Sequence, residues 1–193
     1  MAKHAPADVR RQQILEAALG CFAQQGYHQT RMDDIGKATG LSKGALYHHF
    51  KNKEAVFLGV FDDLNAKLWH AWQEADTLVP DDAILSQGHL VLDSLLGVPG
   101  MIETWVEFLR HPESRSRFKD IYQLSRKRLA ETVQRGIDEG VFRDCDPTVL
   151  GGTLTAIIEG LILQRLADPS FEATRTWEAG WTLIQQGITS TRQ

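Results

Sequence analysis

A short run of small, basic and hydrogen-bonding residues has the chemistry of a surface that reads a nucleic acid. The run is KGALYHHF, and its apolar spacing predicts a helix from Lys43 to Phe50. Leu46 and Phe50 are four residues apart, so they share one face and point toward a core. The other residues face outward, wholly or in part: Lys43, Gly44, Ala45, Tyr47, His48 and His49. Small residues let a backbone approach base edges, and polar or basic neighbours can hold phosphates.

The elements that must position this run form a helix-turn-helix pattern. A first short helix is predicted from about Met32 to Thr39, and Thr30 with Asp33 resembles a capping box at its start. Gly40 suits a left-handed position that ends this helix. Ser42 is a good N-cap for the helix that follows. The predicted recognition helix therefore has a defined start and a short turn before it.

The stretch GYHQT followed by DDIGKATGLSKGALYHHFKNKEAVF resembles the DNA-binding domain of the TetR-like transcriptional repressors, over roughly the first sixty residues. The resemblance implies that four residues approach phosphates: Thr30, Tyr47, His48 and Lys53. It implies that four others lie nearest the bases: Ser42, Lys43, Gly44 and Ala45. One position departs from the pattern, since Gly36 stands where such repressors usually have alanine. Glycine inside a helix costs about 1 kcal/mol relative to alanine, so the first short helix is expected to be looser.

Charge is divided unevenly along the chain. Residues 1–53 hold eight Lys/Arg and four Asp/Glu, a net charge of +4, whereas residues 54–193 hold thirteen and twenty-one, a net charge of −8. A basic end can neutralise phosphates, while an acidic body is repelled by DNA and so helps to orient the protein. We therefore predict two domains, a helix-turn-helix DNA-binding domain at residues 1–53 and an effector-binding and dimerisation domain at residues 54–193.

The predicted fold is all-α, with about nine helices. A first helix at about residues 8–25 buttresses the two short ones, and a long connecting helix begins at Lys53 and ends near Asp76. Further helices are expected at about residues 83–96, 101–110, 113–139, 148–166 and 171–189. The helix at residues 148–166 is apolar over most of its surface and must be covered on two sides.

The last two helices are more apolar than one chain can bury, which predicts a homodimer that pairs through them as a four-helix bundle. The TetR-like resemblance implies the same pairing. The segment TAIIEGLILQRLADP also resembles the C-terminal domain of the choline-responsive repressors of that family, without fixing the ligand.

Aromatic and apolar residues of several body helices are candidates for lining an effector pocket: Phe61, Leu64, Leu68, Trp72, Trp105, Phe108, Phe118 and Tyr122. Clustered aromatic residues are more often plain core, but the family resemblance favours a pocket. Polar residues among them could hold an effector by hydrogen bonds or charge: His89, Asp93, Glu103, Glu107, Gln123 and Glu159. The tryptophans and acids favour a hydrophobic or cationic effector.

Several other kinds of chemistry are not supported. The histidines lack metal-ligand spacing, Cys21 and Cys145 form neither a disulfide framework nor a zinc set, and no cofactor-binding motif occurs. No catalytic signature occurs either, so no enzyme activity is expected. The chain has no secretory signal and no run long enough to span a membrane, which predicts a cytoplasmic location without membrane partners.

We therefore expect a ligand-responsive transcriptional repressor that binds a palindromic double-stranded operator as a homodimer and is released by a small molecule. Two alternatives stay open at this point. One is an activator of the same family, and the other is a helical ligand-binding or enzymatic protein whose helix-turn-helix is a relic.

Overall fold

The computed structural model describes residues 6–75, 77–97 and 100–189. Within these residues the chain is all-α, with nine helices. Their bounds are α1 Ala7–Gln29, α2 Met32–Thr39, α3 Lys43–His49, α4 Lys53–Ala75, α5 Pro80–Leu96, α6 Met101–Arg110, α7 Pro112–Asp138, α8 Pro147–Ala167 and α9 Ala173–Ile188. The predicted all-α fold is confirmed. Asp76, where α4 was expected to end, lies outside the described residues.

Local signals place the two short helices where the sequence predicts them. Gly40 follows α2 in the left-handed conformation, with φ 68°, and the Ser42 hydroxyl accepts a hydrogen bond from the Ala45 N–H at 3.3 Å. Helix α2 begins at Met32 as predicted, but its N-cap is one residue later than the expected Thr30. Arg31 is the N-cap, and its N–H donates to the Asp34 carboxylate at 2.9 Å. Thr30 cannot serve there because its hydroxyl donates to the Gly26 carbonyl at 2.8 Å.

The chain divides into two compact units. The first comprises Met1–Lys67 and Val98–Ser114, and so contains α1 to α3, the first part of α4, and α6. Phe57 and Phe61 of α4 lie against Phe108 of α6, with ring centroids 4.2 Å and 4.9 Å apart. The Phe22 ring of α1 meets Phe57 edge to face at 5.3 Å. These buried rings form the core of the first unit.

Two histidine–carboxylate contacts also tie α6 into the first unit. His28 Nε2 lies 3.0 Å from the Glu107 carboxylate, and His111 Nε2 lies 3.4 Å from the Glu54 carboxylate. The His111 side chain is 14% exposed, whereas that of His28 is 78% exposed. The contact made by His111 is therefore the better protected of the two.

The second unit comprises Leu68–Gly97 and Arg115–Gln193, and contains the end of α4, α5, most of α7, α8 and α9. α9 packs against α5 and α8. The buried Trp177 of α9 donates from its indole N–H to the Leu85 carbonyl at 3.0 Å. Gln185 of α9 donates to the Asp81 carboxylate at 2.5 Å. The same carboxyl is partly buried, which raises its pKa.

The two compact units do not follow the predicted domain boundary after Lys53. The reason lies in α4 and α6, whose aromatic side chains pack together and join the core built on α1. Such packing depends on contacts between residues about fifty positions apart, which local sequence patterns do not show. The division into a DNA-binding domain and an effector-binding domain after Lys53 therefore stays a prediction.

Candidate nucleic-acid interface and effector-binding residues

Helix α3 separates a buried side from an open side, as the spacing of its residues predicts. Leu46 is 1% exposed and Phe50, just beyond the helix, is 4% exposed. The guanidinium of Arg11, on α1, lies 5.1 Å from the centre of the Phe50 ring and covers it. The open side carries most of the residues predicted to contact DNA. Ser42, Lys43, Gly44, Tyr47 and His48 are exposed, and Ala45 is half-buried.

Lys43 lies at the start of α3 with its ammonium group accessible. Its Nζ is 3.6 Å from the Asp33 carboxylate of α2, and both side chains are more than half exposed, at 70% and 62%. Exposed ion pairs of this kind contribute about 0–1 kcal/mol, so the ammonium can exchange this partner for a phosphate or a base edge. The same Nζ lies 6.0 Å from the centre of the Tyr47 ring, which is 42% exposed.

Gly44 leaves open space on the same side of α3. A Cβ atom added there would have no heavy atom within 4 Å. The glycine is therefore not required by packing inside the protein. Its missing side chain leaves room for a partner that approaches the helix from outside.

Thr30 and Lys53, which the family resemblance places near phosphates, are used inside the first unit. Thr30 is 1% exposed, and its hydroxyl donates to carbonyls of α1. Lys53 Nζ donates to the Tyr27 carbonyl at 2.7 Å and the His28 carbonyl at 3.3 Å, and lies 4.3 Å from the centre of the Tyr27 ring. Burial lowers the pKa of the Lys53 ammonium. Both residues therefore fix the end of α1 in this structure, and their side chains are less available to DNA than those on α3.

The residues predicted to line an effector pocket fall into both compact units, four in each. In the first unit, Phe61 stacks on Trp105 with ring centroids 5.9 Å apart and meets Phe108 at 4.9 Å. Leu64 of the same unit is half-buried. The structure therefore brings Phe61, Trp105 and Phe108 together as predicted, although their close packing also serves the core.

In the second unit, Trp72 is 2% exposed and Phe118 is 2% exposed, while Leu68 and Tyr122 are half-buried. Phe118 and Tyr122 are neighbours on α7, with ring centroids 5.8 Å apart. The indole Nε1 of Trp72 is buried and has no hydrogen-bond partner within the described part of the chain. Buried donors of this kind are uncommon and call for a partner such as water or a ligand.

One polar contact in the second unit was not visible in the sequence. The Tyr122 hydroxyl, on α7, donates to Oε2 of Glu159, on α8, at 2.8 Å. Burial raises the pKa of the Glu159 carboxyl, and the hydrogen bond from Tyr122 partly opposes that rise. The sequence placed Glu159 among several polar candidates, but no local pattern could select it, because its partner lies 37 residues away.

Two further features of the described residues bear on metal binding and on membranes. Among the described residues, no group of three or more His, Cys, Asp or Glu side chains could hold a metal ion. One described helix, Pro147–Ala167, has the length and apolar composition of a membrane span, which is weak evidence because core helices of water-soluble proteins pass the same test.

Comparisons with known proteins agree with this geometry. Residues 14–60 match the family model described as bacterial regulatory proteins, tetR family, and residues 100–188 match the model for the C-terminal region of BetI-type transcriptional repressors. The HTH-type transcriptional repressor Rv1474c of Mycobacterium tuberculosis is 30% identical over 167 residues, which cover 82% of this chain and 87% of the relative. AcnR of Corynebacterium diphtheriae, also an HTH-type transcriptional repressor, is 29% identical over 187 residues, which cover 95% of this chain and 94% of the relative.

A solved structure of a transcriptional regulator from Saccharomonospora viridis in complex with choline has the same fold. Its TM-score is 0.79 at 24% identity, and the match covers 95% of this chain and all of the other. A likeness at this level of identity supports the fold alone.

An exposed basic helix held by a helix-turn-helix, in an all-helical chain, defines a DNA-binding transcriptional regulator. The chain belongs to the tetR family of bacterial regulatory proteins. Members of this family bind operator DNA, form dimers and respond to small-molecule effectors. The protein is a regulator and not an enzyme, which removes the alternative of a relic helix-turn-helix.

Proposed function

We propose that the protein is a homodimeric repressor that binds a roughly palindromic operator through α3 and releases it when a small molecule binds. The observation that carries the proposal is the exposed face of α3, where a lysine, a glycine, a tyrosine and a histidine lie beside a firmly buried Leu46. Relatives that span most of this chain are transcriptional repressors, which supports repression rather than activation.

The contacts with DNA divide by chemistry. The N-terminal turn of α3 is small enough to approach base edges, and it contains Ser42, Lys43, Gly44 and Ala45. Tyr47 and His48 are exposed beside it and contact phosphates by hydrogen bonds. Thr30 and Lys53 support α3 indirectly, because they hold the end of α1 in place. Any phosphate contact they make comes from their backbone or from a rearranged side chain.

The first test is selection of the purified protein against randomised duplex DNA at near-physiological salt. Enrichment of a two-fold symmetric site is expected, because a symmetric dimer presents two copies of α3. Salt-sensitive binding with no shared sequence would count against a specific repressor.

Single substitutions on α3 then test the residues. Lys43→Ala is expected to weaken operator binding by about tenfold, because a good contact to a base edge contributes roughly 1–3 kcal/mol. Tyr47→Ala is expected to weaken it less, and neither change should affect dimerisation. Lys119→Ala is the matched control, since it removes the same charge from an exposed position on α7. If the Lys43 and Lys119 variants bind the operator equally well, Lys43 does not contact the DNA.

We propose that a second copy of the chain covers α8 and α9. Val149 and Leu163 on α8 are 64% and 53% exposed, and Leu183 on α9 is 70% exposed. Only 28% of the most apolar 18-residue window of α8 is buried within one chain. An apolar surface of this kind on a water-soluble protein is typical of a subunit interface.

The interface is tested by Leu183→Asp, which is expected to give a monomer in sedimentation experiments because it buries a charge in an apolar contact. Leu124→Asp is the control, since Leu124 is also an exposed apolar residue, at 40%, but lies on α7. A dimer that survives the Leu183 change and is lost with the Leu124 change would place the interface elsewhere.

We propose that the effector binds among the predicted residues of the second unit, Leu68, Trp72, Phe118 and Tyr122. The four predicted in the first unit stay candidates there: Phe61, Leu64, Trp105 and Phe108. The unpartnered indole N–H of Trp72 supports a bound molecule in the second unit. The effector acts by preferring a conformation that binds the operator less well, and a coupling of about 1–3 kcal/mol is typical for such effects. The test is a screen in which compounds displace the protein from the selected operator. Choline is the first compound to include, because the regulator from Saccharomonospora viridis binds it.

The location follows from the function. We propose a cytoplasmic location, where a regulator of this family meets operator DNA, and no membrane partner. Fractionation of cells that produce the protein is expected to recover it with the cytosol and the nucleoid.

A further inference from the structure

Asp33 places a negative charge on the surface that is proposed to meet DNA. It lies in the first turn of α2, and its exposed carboxylate is 3.6 Å from Nζ of Lys43 at the start of α3. DNA phosphates repel a carboxylate, so an exposed acid here weakens binding to DNA of any sequence. Affinity alone therefore does not account for this residue.

The local explanations for Asp33 are incomplete. An acid in the first turn complements the helix dipole, but Asp34 is in the same turn, and its carboxylate also accepts the N–H of Arg31 at 2.9 Å. Within the described residues the ion-pair partner of Asp33 is Lys43 of α3, and not Lys37, which lies one turn further along α2. The contact joins the two helices on their open side.

Asp33 and Lys43 together present a hydrogen-bond acceptor beside a donor. A lysine ammonium donates to O6 and N7 of guanine, and an aspartate carboxylate accepts from the N4 amino group of cytosine. Guanine O6 and cytosine N4 are bonded to each other in the base pair, so they lie about 3 Å apart. The 3.6 Å between Nζ and the carboxylate is close to that separation.

Other base pairs fit this arrangement less well. An A·T pair in the same orientation reverses the donor and the acceptor, so the ammonium meets an amino group and the carboxylate meets a carbonyl. A T·A pair keeps one acceptor and one donor, but the thymine methyl group stands in the place of guanine N7. The ammonium then loses its second acceptor.

Both side chains can turn toward DNA without disturbing the fold. They are 70% and 62% exposed, and an ion pair this exposed is weak. The helices that hold them are anchored by other residues, since Met32 and Ile35 of α2 and Leu46 of α3 are buried. Contact with a base pair therefore replaces water and a weak ion pair.

We infer that Asp33 is a specificity-determining residue of the operator site, and that it reads one G·C base pair in each half-site together with Lys43. The inference rests on the proposed function, because it names a base pair that α2 and α3 recognise jointly. Asp33 acts by rejecting other base pairs and not by adding affinity. A purely structural role at the start of α2 would weaken binding to every sequence alike.

The test repeats the selection against randomised duplex DNA with Asp33→Ala and Lys43→Ala. Both variants are expected to lose preference for the same G·C pair of the wild-type site and to keep the preferences at other positions. In anisotropy titrations, replacing that pair by T·A should weaken wild-type binding about tenfold and Asp33→Ala binding by about threefold or less. Random-sequence DNA should bind Asp33→Ala more tightly than wild type, because a charge that repels phosphates is gone.

Two further variants separate charge at this position from charge in general. Asp33→Asn keeps the shape of the side chain, and its amide favours adenine in place of the cytosine. The selected pair should therefore shift from G·C toward T·A. Asp120→Ala removes a carboxylate from an exposed position on α7 and should select the same site as wild type. An equal change of base preference in Asp120→Ala would overturn the inference.

The outcomes separate this inference from the proposed function. If wild-type protein enriches no symmetric site, the proposed function fails and the inference fails with it. If wild-type protein enriches a site and Asp33→Ala has the same base preferences, the repressor function stands and Asp33 does not determine specificity. If Asp33→Ala weakens binding to all sequences equally, the role of Asp33 is structural and the inference also fails.

Discussion

The glycines of the two short helices in the first unit have different surroundings from two glycines of the second unit, Gly88 and Gly151. A Cβ added to Gly36 of α2 would make ordinary contacts, the nearest at 3.6 Å, and one added to Gly44 of α3 would meet nothing within 4 Å. In the second unit, a Cβ on Gly88 would lie 2.1 Å from the ring of Trp177. A Cβ on Gly151 of α8 would lie 2.8 Å from the backbone of α7.

The difference shows that glycine has two roles in this protein. At Gly88 and Gly151 of the second unit, the missing side chain lets a tryptophan and a neighbouring helix approach closely, and a close-packed interior leaves no room for an added methyl group. In the two short helices of the first unit, the space beside glycine is either spare or open to solvent. No atom of the protein fills the space beside Gly44, so DNA can occupy it.

The largest effect is expected where the packing is tightest. Gly88→Ala should lower the free energy of unfolding by about 1–3 kcal/mol, because overpacking forces side chains or backbone to move. Trp177 has little freedom to move, being 0% exposed with its indole N–H bonded to Leu85. Denaturant unfolding measures the change. Gly180→Ala on α9 is the control, since a Cβ there meets nothing within 4 Å, and an equal loss in both variants would mean that contact with Trp177 is not the cause.

At Gly44 the effect should fall on DNA binding and not on stability. Gly44→Leu is expected to weaken operator binding by at least about tenfold, or roughly 1.4 kcal/mol, because its side chain occupies the space at the DNA-facing side of α3. Fluorescence anisotropy with labelled operator measures this effect. Gly44→Ala should give a smaller loss, and both variants should unfold no more easily than wild type. Full affinity in the leucine variant would show that this face of α3 does not meet the DNA.

A modest gain is expected at Gly36. Gly36→Ala should raise the free energy of unfolding by about 0.5–1 kcal/mol, since alanine is the better helix former and its methyl group fits. Thermal unfolding measures the shift. Gly40→Ala is the contrasting variant and should be destabilised, because Gly40 has φ 68°. A Gly36 variant less stable than wild type would mean that α2 cannot accommodate even one methyl group.

The smallest effect concerns charge. Burial raises the pKa of Glu159 above the ordinary value of 4.5, so the folded state holds this proton more tightly than the unfolded state. The stability that the protonated form provides is present below pH 4.5 and is lost as the pH rises through the folded pKa. The stability of Glu159→Gln relative to wild type should therefore increase between pH 4.5 and pH 8. Paired denaturation curves at the two values measure this, and a difference independent of pH would show that Glu159 is not perturbed by burial.

The sequence predicts the short helices well because their signals are local. Gly40 and Ser42 end one helix and start the next through their own backbone and side-chain preferences. The capping box at Thr30 was wrong because the Thr30 hydroxyl donates to the carbonyl of Gly26 near the end of α1. The two groups are only four residues apart, so the competition is local, and the residue types alone did not show which hydrogen bond Thr30 would make.

The binding residues were predictable only where their positions depend on local spacing. The open face of α3 follows from helical spacing alone, and so its exposed residues were predictable. The bond from Tyr122 to Glu159 and the capture of Lys53 by carbonyls of α1 depend on the path of the chain between them. The phosphate contact of Lys53 stays a prediction, while in this structure its Nζ donates to carbonyls at the end of α1.

The exposed apolar face of α8 links the stability of the protein to its concentration. If a second copy covers that face, the folded chain and the dimer share one equilibrium, and the melting temperature should rise with protein concentration. A cell that makes few copies would then hold a regulator that is both less stable and less able to span two half-sites. The amount of protein in the cell, together with the effector, would then set the point at which the operator is released. A promoter controlled by this protein would respond steeply when the protein is synthesised or diluted.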